Sequence, residues 1–216
     1  MGALDGGGTD AARDGAKPVV DAGPKPAFPN GFTAEPDLSP TPVRTFTKAE
    51  QVLDAAKDYV AVLETDAGNL TLDLLAQDTP ITCNSFVFLA RNHYFDGIAF
   101  HRVIEGFMAQ TGDPNSVSGD PGTWGSGGPG YKFGLEVKPE LNFDGEGVVG
   151  MARTSSPTSN GSQFFITFEA QASLNQKYTV FAKVIEGSDT LPKIVRGEPP
   201  AAPTHMTAVK IWSRPR

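Results

Sequence analysis

Residues 100–113 have the sequence FHRVIEGFMAQTGD, and this stretch is the most informative part of the chain. It places a permanent cation, Arg102, in an otherwise apolar run, and Phe107, Met108 and Gln110 follow within eight residues. A guanidinium is costly to remove from water, so a chain seldom keeps one beside apolar side chains merely to fill a core. The stretch therefore predicts a site with fixed hydrogen-bond donors next to an apolar surface. It offers no evident nucleophile and no pair of metal ligands.

Three further blocks of sequence follow in the same order and separation as in a known family. They are GVVGMART at 147–154, SNGSQFFIT at 159–167 and SLNQKYTVFAKV at 173–184. Together with residues 100–113 they resemble the signature of the cyclophilins, which are peptidyl-prolyl cis-trans isomerases. The resemblance covers residues 58–213, and a long first block with three supporting ones makes it specific.

The hydrophobic pattern by itself indicates a mainly β chain with helices. Residues 59–66 and 70–75 flank a turn and predict a hairpin, and Pro80 opens a helix with one apolar face. The resemblance implies a more definite fold: a closed, eight-stranded antiparallel β-barrel capped by two α-helices. The remaining predicted elements are strands at 98–104, 107–111, 147–151, 163–167, 179–185 and 209–212 and a second helix at 187–195.

Composition divides the chain into three segments. Residues 1–46 contain few large apolar side chains, and the first 42 hold seven of the 18 prolines and seven of the 24 glycines. Such a segment cannot bury enough surface to offset its ordering entropy, so we expect a flexible Pro/Gly-rich leader. Residues 47–58 begin with a suitable N-cap, Thr47, and are predicted to form a short extra helix. Residues 59–216 are the cyclophilin-like domain that the resemblance implies.

Composition also excludes several classes of function. The 216 residues carry a net charge of −7 and no basic cluster of the kind that nucleic-acid phosphates require, so no nucleic-acid partner is expected. Cys83 is the one cysteine, so no internal disulfide can form, and it is predicted to be a small buried hydrophobe. His93 and His205 match no ligand spacing, and neither a metal nor a cofactor is expected.

The chain carries no segment suited to cross a membrane, because no apolar run approaches the ~20 residues that a span needs. Its acidic, glycine-rich N-terminus is unlike a signal peptide, so a cytoplasmic location is expected for the chain as written. The location would be extracytoplasmic if a signal or lipid anchor had been removed, since a polar leader also resembles the spacer behind such an anchor. A monomer is expected.

The resemblance assigns roles to twelve residues. Arg102 matches the catalytic arginine, which is expected to donate toward the imide nitrogen of an X-Pro bond, and Gln110 matches the glutamine that orients it. The substrate-binding residues are Phe107, Met108, Phe165 and Leu174 in the proline pocket, Ala152, Arg153 and Gln163 as the grip on the residues before proline, Gly125 and Ser126 on the groove loop, and Tyr178 at the pocket's closing side.

Three positions depart from the pattern of many cyclophilins. Ser173 stands where many have a tryptophan linked with cyclosporin sensitivity, so weak or no cyclosporin binding is expected. Tyr178 stands where many have histidine, and its ring can still close the pocket. Arg153 stands where many have asparagine and brings a second cation to the groove.

These features favour a peptidyl-prolyl isomerase that assists protein folding by accelerating X-Pro rotation in unfolded or flexible polypeptides. The alternative is a proline-peptide-binding chaperone or scaffold module with little turnover. A hydrolase based on Ser155, Ser156 or Ser162 lacks a Gly-x-Ser-x-Gly elbow. The glycine-rich residues 113–130 lack the Gly-Lys-Ser/Thr ending of a phosphate loop and are predicted to form a wall beside the groove.

Several of the singled-out residues have a purely structural interpretation. His101 flanks the arginine, but on a strand its side chain faces away from that of Arg102, which favours a structural role. Arg102 itself would be structural if it formed a buried ion pair, and Gln163 would be structural as a satisfied core amide.

Overall fold

The structure, a computed structural model, describes residues 31–216, and β-strands are the main regular elements of this part of the chain. The strands are β1 (Thr33–Ala34), β2 (Lys57–Thr65), β3 (Gly68–Leu74), β4 (Arg102–Ile104), β5 (Met108–Thr111), β6 (Val148–Met151), β7 (Phe164–Thr167), β8 (Val180–Glu186) and β9 (Met206–Pro215). The helices are α1 (Pro80–Arg91) and 3-10 helices at Pro114–Val117, Pro121–Thr123, Ala172–Leu174 and Ser188–Lys193. Across residues 31–216, none of the helices has the length and apolar character that a membrane span requires.

The predicted hairpin is confirmed as the pair β2 and β3. Its register runs from Tyr59 opposite Leu74 to Thr65 opposite Gly68. The tight turn requires a positive φ, which Gly68 adopts at +131°, and the Thr65 hydroxyl donates to the Gly68 carbonyl at 2.5 Å. The hairpin sets the register of the sheet around it, because β9 pairs with the outer edge of β2 and β8 with that of β3.

The sheet has the strand order β1-β9-β2-β3-β8-β6-β7-β5-β4, and every pairing is antiparallel. Without the two-residue β1, it consists of the eight strands that were expected. Its two ends meet where residues 97–100 face residues 204–206. There the Phe100 N–H donates to the Thr204 carbonyl at 2.8 Å, and Ala99 and His205 form an isolated bridge. We call this junction the seam, because one isolated bridge and a few backbone hydrogen bonds, rather than a regular ladder, join the two ends there.

Aromatic rings from α1 and the sheet fill the largest core cluster. The ring of Phe86 in α1 lies 5.6 Å from that of Phe164 in β7 and 5.4 Å from that of Phe181 in β8, between centroids. All three side chains are buried. Cys83 belongs to the same cluster, and burial raises the pKa of its thiol to about 12. The prediction of a small buried hydrophobe at this position is confirmed.

The N-terminus of α1 is capped by a residue far away in the chain. Pro80 occupies the first turn as predicted, but Thr79 makes no side-chain cap. Instead the Glu136 carboxylate accepts from the N–H groups of Ile81 at 3.1 Å and Thr82 at 2.7 Å. A carboxylate at this end also interacts favourably with the helix dipole, so Glu136 fixes the start of α1.

The second predicted helix is present, but as a 3-10 helix at Ser188–Lys193 rather than as an α-helix over 187–195. Gly187 precedes it with a φ of +79°, and Pro192 lies inside it. Because proline has no N–H to donate to the preceding turn, it opposes a regular α-helix there.

The prediction of an extra helix over residues 47–58 is wrong. The segment runs without helical structure into β2. The Asn84 side chain of α1 accepts from the N–H groups of Val52 at 2.8 Å and Leu53 at 3.1 Å, and donates to the Glu50 carbonyl at 2.9 Å. These tertiary hydrogen bonds satisfy backbone groups that a helix would otherwise pair internally, and so override a modest local propensity.

Part of the predicted flexible leader lies against the domain. We call residues 31–46 the strap; residues 1–30 lie outside the described part of the chain. β1 of the strap pairs with β9, and the Arg44 guanidinium donates to the carbonyls of Tyr94 at 2.9 Å and Asp96 at 2.6 Å. The Phe46 ring meets that of Phe88 edge-on at 4.8 Å. The composition of the segment did not predict this contact, because Arg44, Phe46 and the β1–β9 pairing hold the strap rather than an apolar pattern.

The strap is expected to contribute measurably to stability. Phe46→Ala should lower the free energy of unfolding by about 2 kcal/mol, because it removes a half-buried ring and its aromatic contact. The neighbouring exposed Thr45→Ala is the control and should change it by less than about 0.5 kcal/mol. Urea denaturation of the full chain measures both values. Equal values for the two variants would show that the strap does not stabilise the domain.

Candidate active site

Arg102 and Gln110 face each other across the first two strands after the seam. Arg102 of β4 is the direct partner of Gln110 in β5, so both side chains emerge on the same face. The neighbouring His101 is buried, and a Cβ added at Gly125 would lie 3.8 Å from its Nε2. Burial lowers the pKa of His101, which favours the neutral imidazole, and the residue does not line the hollow described below.

The Arg102 guanidinium lies at the edge of an apolar hollow. Its Cζ is 5.9 Å from the centroid of the Phe107 ring, and its Nε donates to the Glu198 carboxylate at 2.6 Å. The side chain is 41% exposed, so this is a surface ion pair rather than the buried one considered as a structural alternative. Since Nε carries the bond to Glu198, the two terminal nitrogens of the guanidinium remain available for a ligand.

The hollow itself is small, and most of its lining residues are apolar. It has a volume of about 160 Å³, and we call its apolar lining the cup: Phe107, Met108, Ala152, Phe165, Leu174 and Tyr178. At roughly 30 Å³ per water molecule, this space would hold a small ring such as that of proline.

Packing behind the cup fixes its floor. The Phe165 ring stacks on Phe143 at 5.5 Å and meets Tyr178 edge-on at 5.9 Å. Gly150 is the strand partner of Phe165, and a Cβ added there would approach the rings of Phe143 and Phe165 to 2.7 Å. Glycine is therefore required at position 150 for the floor to pack. Neither Phe143 nor Gly150 was singled out from the sequence.

A larger groove adjoins the hollow and shares three lining residues with it: Gln110, Ala152 and Arg153. We call it the groove; its walls are residues 125–132 and residues within 152–163, and its volume is about 900 Å³. The predicted wall role of the glycine-rich loop is confirmed for residues 125–130. Gly125, Ser126 and Gln163 line the groove, and the other nine predicted site residues line the hollow.

A chain of amides connects the cup to the groove loop. Gln110 Nε2 donates to Gln163 Oε1 at 2.9 Å, and Gln163 Nε2 donates to the carbonyls of Gly125 at 3.0 Å and Gly127 at 2.9 Å. From behind, the buried Asp113 carboxylate accepts from the N–H groups of Gly125 and Gly127. Gln163 is thus satisfied by hydrogen bonds and also lines the groove, and these bonds hold the loop in place.

Arg153 forms the wall between the cup and the groove. Its guanidinium lies over the Tyr178 ring, with Cζ 4.6 Å from the centroid. It also donates to the backbone carbonyls of Lys177 at 2.9 Å and Thr154 at 2.8 Å. The expectation that a second cation reaches the site is therefore met by a side chain in a fixed position.

Glu198 is the charged residue of the site that sequence reasoning missed. It lies 96 positions after Arg102 and reaches it because Val103 and Gly197 exchange backbone hydrogen bonds of 2.8 and 2.9 Å. Nothing in the sequence around Glu198 distinguishes it from other surface carboxylates. Only the pairing of its segment with β4 would have identified it.

The other candidate chemistries gain no support from the described residues. Ser162 is buried, and its hydroxyl donates to the Gly112 carbonyl at 2.7 Å and contacts the Tyr94 hydroxyl at 2.8 Å, where no base is paired with it. His93 pairs with Asp37 and Asp96 on the surface, and within residues 31–216 no group of three or more His, Cys, Asp or Glu side chains is arranged to hold a metal ion.

Comparison with known proteins gives a consistent result. The family model described as "Cyclophilin type peptidyl-prolyl cis-trans isomerase/CLD" matches residues 60–213. "Peptidyl-prolyl cis-trans isomerase-like 3" of Gallus gallus is 44% identical over 133 residues, which are 61% of this chain and 79% of the relative. "Peptidyl-prolyl cis-trans isomerase 10" of Caenorhabditis elegans is 45% identical over 133 residues, again 61% of this chain and 79% of the relative.

Solved structures agree with the sequence relatives. A cyclophilin type peptidyl-prolyl cis-trans isomerase of Cryptosporidium parvum superposes with a TM-score of 0.65 at 30% identity, covering 71% of this chain and 97% of that one. A second crystal structure of that isomerase, in the presence of the dipeptide Ala-Pro, gives a TM-score of 0.63 at 32% identity, covering 69% of this chain and 96% of that one.

Proposed function

The chain belongs to the cyclophilin type peptidyl-prolyl cis-trans isomerase family and is an enzyme of that class, and we propose that Arg102, Gln110 and the cup form its catalytic centre. The substrate is an X-Pro bond in an unfolded or flexible polypeptide, and the reaction assists protein folding. The observation that carries this assignment is the Arg102 guanidinium held at the rim of an apolar hollow of proline size.

The reaction needs no covalent step. Amide resonance gives the X-Pro bond a rotation barrier of roughly 18–20 kcal/mol, and the two isomers differ by only about 0.5–1 kcal/mol. A donor that hydrogen-bonds to the imide nitrogen localises its lone pair and removes the double-bond character. Each ~1.4 kcal/mol taken from the barrier raises the rate about tenfold. Lowering it by ~7 kcal/mol therefore gives about five orders of magnitude, which positioning and a fixed electrostatic field can supply together.

Each part of the site has a distinct task. The cup takes the proline ring, since Phe107, Phe165 and Leu174 offer apolar contact without polar groups to desolvate. Arg102 donates a terminal N–H toward the imide nitrogen while Glu198 holds its Nε. The Gln110–Gln163 pair presents polar atoms to the chain before the proline, so that this chain stays fixed while the bond rotates.

The competing function is a module that binds proline peptides with little turnover. Measuring cis-trans exchange of a proline peptide by NMR, with and without the protein, separates the two functions. The enzyme function is supported if exchange accelerates at a catalytic ratio of protein to peptide. Peptide binding without faster exchange would support the module instead.

Weak inhibition by cyclosporin is proposed from the side chain at position 173. Ser173 is exposed beside the cup, where many cyclophilins have a tryptophan. Ser173→Trp should strengthen inhibition by about tenfold, because an indole adds apolar area and an N–H donor. Titrating the inhibitor against both forms in the exchange assay measures the change. Nanomolar inhibition of the wild type would contradict the proposal.

We also propose a monomer that acts on many proline-containing polypeptides, because the cup contacts the proline ring, which all of these chains share. Sedimentation at several protein concentrations tests the monomer, which a concentration-dependent mass would rule out.

The compartment follows from the mature N-terminus in the native cell. A start at Met1 favours the cytoplasm, whereas a start further along the chain favours an extracytoplasmic location.

A further inference from the structure

The groove has a charge opposite to that of the whole chain. Two cations, Lys132 and Arg153, are among its lining residues, and no carboxylate is among the lining residues that the structure describes. The chain as a whole has a net charge of −7. A peptide that enters the groove therefore meets a local positive field on a protein that is otherwise acidic.

The charge of Arg153 is not neutralised by an acid. Its guanidinium bonds to backbone carbonyls and lies over Tyr178, and no carboxylate of residues 31–216 lies within 4.0 Å of it. Carbonyl dipoles orient a cation, but they leave its net charge in place. Because the side chain is already fixed, an anionic group can bind it without ordering a flexible arm.

Lys132 provides a second cation on the loop side of the groove. It is exposed to solvent, and within the described chain no hydrogen bond or ion pair engages its ammonium group. The loop of residues 113–130 carries two acids, and neither lines the groove. Asp113 is fully buried behind the loop and accepts from its backbone N–H groups, and the exposed Asp120 accepts from the Gly122 N–H at 2.9 Å. Asp113 therefore holds the loop and does not neutralise the face that a peptide contacts.

We propose that the groove selects peptides with an anionic side chain within about three residues before the proline. This inference rests on the proposed function, because it takes the cup as the proline's position. The hollow and the groove share Gln110, Ala152 and Arg153, so the chain before the proline passes directly from one to the other. At about 3.3 Å per extended residue, three residues span roughly 10 Å.

Long-range repulsion from the acidic protein does not cancel this selection. At physiological ionic strength the screening length is about 8 Å, so distant surface carboxylates contribute little at the groove. Lys132 and Arg153 line the groove itself and act within that distance. Their effect is expected to fall as salt increases, which separates charge selection from selection by shape.

The test compares peptides that differ only in charge. Three proline peptides carry Glu, Gln or Lys at the second residue before the proline, and NMR exchange gives kcat/KM for each. At 50 mM salt the wild type should prefer Glu over Gln by about two- to fivefold and Gln over Lys, the scale expected for one or two exposed or partly exposed charge pairs. At 1 M salt the Glu preference should fall below about twofold. Moving Glu to the first or third residue before the proline locates the position where the preference is largest.

Variants assign the preference to the two cations. Lys132→Gln should reduce the Glu-to-Gln ratio about two- to threefold, and adding Arg153→Gln should bring it to about one. The ratio within each variant cancels any general loss of activity. Lys177→Gln is the matched control, because it removes one exposed cation that does not line the groove, and its ratio should equal that of the wild type.

The outcomes distinguish a failure of the proposed charge selection from a failure of the proposed isomerase function. If the wild type does not accelerate exchange in the neutral Gln peptide, the proposed function fails and the inference fails with it. If it accelerates that peptide but the Glu-to-Gln ratio at 50 mM salt is near one at the first, second and third residues before the proline, only the inference is overturned. A preference that persists in the double variant, or disappears equally in Lys177→Gln, also overturns it.

Discussion

Replacing Arg102 with alanine is expected to lower kcat/KM for a proline peptide by about 100- to 1,000-fold, the loss typical of one preorganised donor in a catalytic site. The guanidinium lies 5.9 Å from the Phe107 ring at the rim of the cup, where its terminal N–H groups would meet the imide nitrogen. Water can take its place but is not held in that position. NMR exchange at several enzyme concentrations measures the loss, and the cup should still bind the peptide.

Two further variants make this result specific. Arg102→Lys keeps the charge but not the planar fork of donors, so it should recover only part of the lost rate. Arg214 is a matched control, since it lies 4.8 Å from the Phe32 ring and 3.4 Å from Asp58, remote from the cup. Arg214→Ala should leave kcat/KM within about twofold of the wild type. Equal losses in both alanine variants would refute a special role for Arg102.

Replacing Phe164 with alanine is expected to lower the free energy of unfolding by about 3–5 kcal/mol, as for other buried phenylalanines. Its side chain is fully buried, and its ring contacts those of Phe86 at 5.6 Å, Phe95 at 5.7 Å and Phe181 at 6.2 Å. These rings cannot collapse far enough to fill the space, so a cavity would remain at the centre of the core. Urea denaturation measures the change.

The next residue on the same strand supplies the contrast. Phe165 points to the other side of β7 and forms the floor of the cup, which is open to solvent. Phe165→Ala should therefore cost less stability, about 1–3 kcal/mol, because water can enter the space. It should nevertheless lower kcat/KM by about tenfold or more, since the proline ring loses its floor. If both variants lost the same stability and Phe165→Ala kept its activity, the cup would be ordinary core.

The sequence was sufficient to predict the residues of the site but not all of their contacts. The twelve predicted residues line one hollow and the adjoining groove, because sequence blocks far apart in the chain pair through β4, β5, β6 and β7. Glu198 was missed because its position depends on a single bridge between Val103 and Gly197, and no periodic pattern encodes one bridge. The roles of the twelve residues remain predictions.

Local patterns were reliable where burial and secondary structure agree. The β2–β3 hairpin and α1 were predicted because apolar side chains recur with the period of the element that they form. The segment 47–58 was mispredicted because Asn84, from a different element, satisfies its backbone groups. The strap was mispredicted for a related reason, since Arg44 and Phe46 bind carbonyls and a ring that lie far along the chain.

The pair of Arg102 and Glu198 stands next to the seam, so the cation that we propose acts on the X-Pro bond also acts as a clasp between two distant parts of the chain. The clasp is loose, because the two side chains are 41% and 52% exposed and such pairs are worth only about 0–1 kcal/mol. A substrate can therefore draw the guanidinium toward itself at little energetic cost. An arginine in a buried ion pair would resist that movement.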